Sequence, residues 1–169
     1  MQIVKNHDDY DSIYWLTGIK TRKDEIRDYK RVVEVKDGTA TKTNGHVLIS
    51  AIVRHIPDGY YLVTKRNKKE VVLDGLLDVD YPETKDLFTL KDEATATKLD
   101  LHCVTGGENF FGLASINRSM PEKYTVNWKL FDLITSVDDV FIVDIEIDSP
   151  VRFINTTNDR KALLMPMRA

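Results

Sequence analysis

The sequence predicts an α+β fold with two pseudo-symmetric halves, each with a helix packed on an antiparallel sheet. Residues 8–17 place apolar side chains near helical spacing behind an acidic first turn, and a charged stretch and three β-prone segments follow up to residue 53. From residue 127 onward, the order of one helix followed by three strands recurs. No sequence identity links the two halves, and on topology alone an unrelated α+β domain explains the order equally well.

Two tight turns organise the first half. Asp37-Gly38 and Asn44-Gly45 are dipeptides that hairpins favour, and we expect the second to form a type I′ turn with positive φ at both residues. The charged stretch 19–28 is a second helix or an exposed connection. The strands predicted in this half are residues 31–35, 39–43, 46–53, 60–65 and 68–73.

The centre of the chain is less regular than the second half. Residues 78–98 open with a proline turn and continue as helix or irregular structure, and residues 109–120 are ambiguous. Asn127 is the expected N-cap of a helix over residues 128–136. The strands predicted here are residues 97–105, 140–147, 151–155 and 162–167.

Composition excludes several classes of protein. The 169 residues suffice for one sizeable core or two small ones, and 42% apolar with 30% charged residues is typical of a soluble globular chain. The net charge of −3 gives no overall attraction to nucleic acid. No apolar run can span a bilayer, residues 1–12 carry no secretory signal, and the single Cys103 fits a reducing cytoplasm.

No motif predicts an enzyme. His7-Asp8-Asp9 resembles a metal-ligand run, but such carboxylates are more often the first turn of a helix, and no second histidine-rich segment accompanies them. His102 and Cys103 are neighbours in a predicted strand, so their side chains point to opposite faces. We therefore expect no catalytic residues, no metal and no cofactor. A small hydrolase that uses residues 7–9 is kept as a third alternative, after the two binding functions described below.

Basic residues cluster in short runs, which include Arg27 and the pair Lys30-Arg31. Such runs are more often solvated turns or guards of edge strands than phosphate-binding surfaces. On one common face they could track a DNA backbone without reading bases. The candidate contacts are Lys20, Arg22, Lys23, Lys65, Arg66, Lys68 and Lys69.

Two short segments resemble the bacterial DNA polymerase III beta sliding clamp family. The ending Met165-Pro166-Met167-Arg168-Ala169 resembles that family's Met-Pro-Met-Arg-Leu C-terminus, and Thr43-Asn44-Gly45-His46-Val47-Leu48 resembles its Thr-Asp-Gly-His-Arg-Leu motif. Residues 79–88 are similar to a Tyr-Pro-Asp-Tyr-like segment of clamps. The resemblance covers about two thirds of the chain and is weakest over residues 90–120.

The resemblance implies a DNA-clamp-like domain over residues 1–169, with halves of about 1–75 and 97–169. In beta clamps the two segments form one apolar cleft for short peptides of polymerase and repair partners, typically with a Gln followed by Leu and Phe. A glycine turn admits a peptide backbone, and leucine and methionine supply an adaptable floor. The cleft residues carried over are Thr43, Gly45, His46, Leu48, Met165, Pro166, Met167 and Arg168.

This sequence also departs from the clamp pattern. Asn44 replaces an acid, Val47 replaces an arginine, and Ala169 replaces the terminal leucine, which makes the expected pocket shallower. The expected function is that of a minimal, phage-like clamp that binds peptides and tethers partners to double-stranded DNA. A ring would need roughly six copies joined by sheet edges, and its lining helices, 8–17 and 127–136, are not strongly basic. The alternative is a stand-alone peptide-binding module that competes for clamp partners.

Overall fold

The computed structural model describes the chain except residues 23, 77, 90–96, 101–124, 137–139, 145–148, 156–158 and 168–169. The chain divides into two compact units, Met1–Thr84 and Lys85–Ala169. Each unit contains a helix packed on antiparallel strands, which confirms the predicted α+β class with two similar halves.

The first unit is built on an antiparallel sheet with strand order β1-β6-β5-β2-β3-β4. Its helices are α1, Tyr10–Leu16, and α2, Asp28–Arg31. Its strands are β1 Gln2–Val4, β2 Val32–Lys36, β3 Thr39–Thr43, β4 Val47–Ile52, β5 Gly59–Arg66 and β6 Glu70–Leu76.

Helix α1 covers one face of this sheet and contacts β3, β4 and β6. Ile13 and Leu16 lie on its inner side and are fully buried, as their near-helical spacing predicts. Helix α1 begins at Tyr10 rather than at residue 8, because the Asp9 carboxylate accepts hydrogen bonds from outside the helix instead of capping it. Strand β1 was not expected, since three residues are too few to show a period.

The second unit repeats the arrangement of helix and meander. Its strands follow the order β11-β10-β9-β7, and β12 pairs separately with β8. The elements are a 3₁₀ helix Lys85–Phe88, β7 Thr97–Asp100, β8 Thr125–Val126, α3 Trp128–Thr135, β9 Val140–Asp144, β10 Val151–Asn155, β11 Lys161–Leu164 and β12 Pro166–Met167.

Helix α3 begins as the sequence predicts. The side chain of Asn127 accepts hydrogen bonds from the amides of Lys129 and Leu130, at 3.1 and 3.3 Å, which satisfies two otherwise orphan donors. Phe131 and Ile134 are fully buried on the side of α3 that packs toward β11. The ambiguous residues 109–120, most of the strand predicted over 97–105, and the His102-Cys103 pair lie outside the described residues.

The two predicted turns of the first half differ from each other. Asp37 and Gly38 both have positive φ, 51° and 70°, and Lys36 pairs with Thr39 across them, as a type I′ turn requires. At the second turn only Gly45 has positive φ, at 88°, so the expected type I′ conformation of Asn44-Gly45 was wrong. Asn44 extends the hairpin, because its amide donates to the carbonyl of Val47 at 3.2 Å.

Candidate functional site

The turn at residues 44–47 is organised by the side chain of Asn44. Its Oδ1 accepts hydrogen bonds from the amides of His46 and Val47, at 3.0 and 3.1 Å. The hydroxyl of Thr43 donates to the carbonyl of Val47 at 2.8 Å and accepts from the amide of Gly45 at 3.0 Å. These bonds stabilise the turn, and the Asn44 amide oxygen accepts them as a carboxylate oxygen of the clamp motif's acid would.

The predicted cleft residues of this segment are buried at its two ends and exposed at the tip of the turn. Thr43 and Leu48 face each other in the β3–β4 ladder, and each is 8% exposed. Gly45 and His46 are exposed at the tip of the turn. The segment therefore offers exposed backbone and one imidazole to solvent, above an anchored leucine.

A lysine that sequence reasoning left out of the site lies against this turn. A Cβ atom placed on Gly45 would come within 2.8 Å of the Lys30 ammonium nitrogen. Lys30 is paired with the Glu25 carboxylate at 3.5 Å, and its side chain is only 10% exposed. The pair Lys30-Arg31 stands out in the sequence as a basic run, but nothing in the sequence places it beside residue 45.

A second buried lysine, Lys42, contacts the carbonyl end of α2. Its ammonium group donates to the carbonyls of Lys30, Arg31 and Val32, at 3.3–3.4 Å. These carbonyls lie at the end of α2, where a cation is favourable. Burial lowers the pKa of Lys42 from 10.5 to about 8. The Lys42 side chain thus connects strand β3, next to Thr43, to the end of α2.

The C-terminal candidate segment belongs to the second unit. Leu163 and Leu164 of β11 are buried, and Met165 is 44% exposed where the chain leaves β11. Pro166 and Met167 form β12 instead of extending β11, so the predicted strand over 162–167 is broken at Met165. Their backbone pairs with Val126 and Thr125, directly before the N-cap of α3. Arg168 lies outside the described residues.

The candidate DNA contacts have diverse local surroundings. Lys20 and Arg22 are exposed in the connection after α1, and Lys23 lies outside the described residues. Lys68 and Lys69 are exposed in the turn between β5 and β6. The ammonium group of Lys65 is 2.5 Å from the Glu70 carboxylate.

Arg66 makes local contacts at the end of α1. Its guanidinium carbon lies 3.9 Å from the centre of the Tyr14 ring, and its nitrogens donate to the Tyr14 carbonyl and the Thr17 hydroxyl, at 3.1–3.3 Å. This arrangement satisfies a carbonyl at the end of the helix and stacks a cation on an aromatic face. Arg66 therefore has a structural role besides its predicted contact with DNA.

The histidine and aspartates of residues 7–9 hold the start of α1 in place. Asp9 is buried, and its two carboxylate oxygens accept from the amides of Arg54 and His55, both at 2.8 Å. His55 Nε2 is 3.2 Å from the Asp8 carboxylate. Within the described part of the chain, no group of three or more His, Cys, Asp and Glu side chains is placed to hold a metal ion.

No helix that the structure describes has the length and apolar character needed to cross a bilayer.

Solved structures of sliding clamps resemble the chain in fold, at low overall sequence identity. No protein-family model matches the sequence, and no curated protein matches it at a significant level. Among solved structures, the DNA polymerase III subunit beta of Borrelia burgdorferi, in complex with a natural product, matches with a TM-score of 0.62 and 14% identity over 99% of this chain and 64% of that one. The sliding clamp of Pseudomonas aeruginosa bound to griselimycin matches with a TM-score of 0.56 and 13% identity over 100% and 65%.

A third match comes from Thermotoga maritima, whose DNA polymerase III beta subunit gives a TM-score of 0.58 and 9% identity over 100% of this chain and 65% of that one. The chain therefore has the fold of the beta sliding clamps, as the resemblance in the two short segments implies. It matches less than two thirds of the length of the clamp chains.

Proposed function

We propose that the protein is a sliding-clamp-like accessory factor of DNA replication, without enzymatic activity and located in the cytoplasm. The observation that carries this proposal is the clamp fold, which extends over 99–100% of the chain. The two clamp-like segments support it: the first lies at a hairpin turn of its unit, and the second follows strand β11 of its own unit.

Its proposed ligands are short linear peptides of polymerase or repair proteins. The binding cleft would be made by Thr43, Gly45, His46 and Leu48 together with residues 165–168. The first segment supplies a fixed turn whose Gly45 and His46 backbone carbonyls are proposed to accept hydrogen bonds from an extended peptide. The second supplies methionines, which adapt to leucine and phenylalanine side chains.

Fluorescence polarisation with a labelled Gln-Leu-x-Leu-Phe peptide tests this function. Saturable binding is expected, and Leu48→Ala and Met167→Ala should each weaken it by about tenfold, as the loss of an apolar anchor would. Ile52→Ala is the matched control, because Ile52 is 40% exposed at the opposite end of β4 from Leu48. Absence of binding by the folded wild-type protein would contradict the function, and so would equal losses in all three variants.

The second candidate function is a peptide-binding module that does not encircle DNA. It is favoured by the charges of the described helices: α1 carries Asp11 and no basic residue, and Lys30 of α2 is buried against Glu25. In α3, Lys129 is balanced by Asp132. A protein that encircles DNA would gain affinity from basic groups facing the phosphates.

Native mass measured with and without double-stranded DNA distinguishes the two candidates. A closed ring of several copies that retains circular DNA and slides off after linearisation is expected for the tethering clamp. A monomer or dimer that binds the peptide but does not associate with DNA at low salt would identify the stand-alone module. In the clamp case, loss of DNA association on replacing Lys20 and Arg22 together would support the predicted backbone contacts.

A further inference from the structure

We propose that Lys30 and Glu25 form a carboxylate-binding subsite beside the 44–47 turn, in which a bound peptide places an acidic group on Lys30 in exchange for Glu25. The inference deepens the proposed peptide-binding function and rests on it. All residues that carry it belong to the first unit, so it depends on the geometry of that unit alone.

The first argument is position. The ammonium nitrogen of Lys30 would lie 2.8 Å from a Cβ on Gly45, and the Lys30 Cε would lie 3.0 Å from it, so the cation touches the turn backbone itself. Asn44 ties the same turn to the charged connection through a 3.4 Å contact between its Nδ2 and the Lys20 carbonyl. A peptide that hydrogen-bonds the exposed backbone of Gly45 and His46 would therefore pass within reach of Lys30.

The second argument is charge. Lys30 and Lys42 are both buried, at 8% and 3% exposure, and the Lys42 ammonium group lies against the carbonyl end of α2. In the part of the chain that the structure describes, the only ion pair made by either lysine is the one between Lys30 and Glu25. Lys30 is thus neutralised by one carboxylate, and an acidic group of a peptide can take the place of Glu25 at the same ammonium group.

The third argument is the nature of the counter-ion. The Glu25 side chain is 18% exposed, and the residues that follow it in the connection, Ile26 and Arg27, are exposed. Besides Lys30, its carboxylate accepts from the amide of Arg27 at 3.1 Å, a contact within its own loop. That amide, followed by the charge of Lys30, lowers the pKa of Glu25. Glu25 belongs to no strand, so its displacement toward solvent would break no sheet pairing, and a carboxylate from the peptide would keep Lys30 neutralised.

Fluorescence polarisation with three labelled peptides tests the subsite on the full-length protein. The first peptide is Gln-Leu-Asp-Leu-Phe with an amidated C-terminus. The second replaces Asp by Asn, and the third is that Asn peptide with a free C-terminal carboxylate. The proteins are the wild type, Lys30→Met and Glu25→Gln. The Asp and Asn peptides differ only in one charge, so their ratio of affinities isolates the carboxylate.

The wild type is expected to bind the first or the third peptide about three- to tenfold more tightly than the neutral one, in the range of a partly exposed charge pair. A preference for the first identifies an acidic side chain as the occupant, and a preference for the third identifies the C-terminus. Lys30→Met should abolish the preference, so that the charged and neutral peptides bind with equal affinity. Glu25→Gln should tighten the acidic peptide, a gain that partial unfolding cannot produce.

Two outcomes would overturn the subsite. Equal affinity of the wild type for all three peptides excludes a carboxylate contact while leaving peptide binding intact. A preference that survives in Lys30→Met assigns the carboxylate to another cation. If no peptide binds, both the proposed function and the subsite are contradicted. Binding of the neutral peptide without any preference for a charged one contradicts the subsite alone.

Discussion

The ammonium group of Lys30 packs against Gly45, so that any side chain at position 45 would begin 2.8 Å from a nitrogen atom. Gly45 also has a φ of +88°, a conformation that costs other residues about 1–2 kcal/mol. Gly45→Ala is therefore expected to lower the free energy of unfolding by at least about 1–2 kcal/mol. Urea denaturation followed by circular dichroism measures the loss.

Gly75→Ala is the control for this substitution. Gly75 lies in β6 with ordinary backbone angles, and a Cβ there would meet nothing closer than Tyr61 Cε1 at 4.0 Å. It should change stability by less than about 0.5 kcal/mol. Equal effects of the two alanines would contradict the role assigned to Lys30 and the turn. The double variant Lys30→Ala/Gly45→Ala should recover the steric part of the loss and retain the part due to φ.

A second prediction concerns Asp9, the buried carboxylate that joins the start of α1 to the loop after β4. Asp9→Ala leaves the amides of Arg54 and His55 without their acceptor, so it should destabilise the protein by about 2–3 kcal/mol. Asp11→Ala, at an exposed position of the same helix, should stay within about 0.5 kcal/mol. A loss at Asp9 no larger than that at Asp11 would show that the two bonds contribute little.

The parts of the fold that follow from local rules were predictable from the sequence. Asn127 caps α3 where expected, and Asp37-Gly38 forms the turn its dipeptide favours, because both depend on neighbours in the chain. The 44–47 turn was placed correctly but given the wrong type. The Asn44 side chain competes successfully for the turn amides, an interaction that dipeptide preference alone does not include.

The parts that depend on distant contacts were not predictable. Lys30 is fifteen positions before Gly45 and meets it only through the packing of α2, and Lys42 looks like an ordinary strand residue until its carbonyl partners are seen. Asp9 was expected to serve the first turn of α1, yet its partners lie 45 and 46 residues away. Such roles follow from tertiary packing, which neither periodicity nor turn signals record. The resemblance to beta clamps implies that the two segments form one cleft, and this stays a prediction.

Tyr81, in the segment similar to the clamp Tyr-Pro motif, provides a third prediction. Its hydroxyl is buried without a hydrogen-bond partner among the described residues, and burial raises its pKa. Its ring packs between Tyr29 and Tyr60, with both centroids 6.2 Å away. Tyr81→Phe keeps the ring contacts and removes a desolvated hydroxyl, so stability should be unchanged or higher by up to about 1 kcal/mol.

Tyr61→Phe is the matched comparison for Tyr81→Phe. The Tyr61 hydroxyl donates to the Pro57 carbonyl at 2.7 Å, so its removal should cost about 0.5–1 kcal/mol. Thermal denaturation of the two variants side by side measures the difference in sign. A destabilised Tyr81→Phe would mean that the hydroxyl has a partner in solution, such as a bound water.

The last prediction is a pH dependence that originates at Lys42. Because its folded-state pKa is about 8 and its ordinary value is 10.5, the unfolded chain binds more protons between these two values. The free energy of unfolding should therefore rise with pH above about 8, with a slope of at most about 1.4 kcal/mol per pH unit from this group. Urea denaturation of the wild type and Lys42→Met from pH 7 to pH 10 isolates the effect, since all other groups cancel in the difference.

Lys36→Met is the control, because Lys36 is exposed on the neighbouring strand β2. A wild-type curve that runs parallel to both variants would show that Lys42 titrates as it does in the unfolded chain, and that its contacts with the α2 carbonyls do not require a desolvated ammonium group.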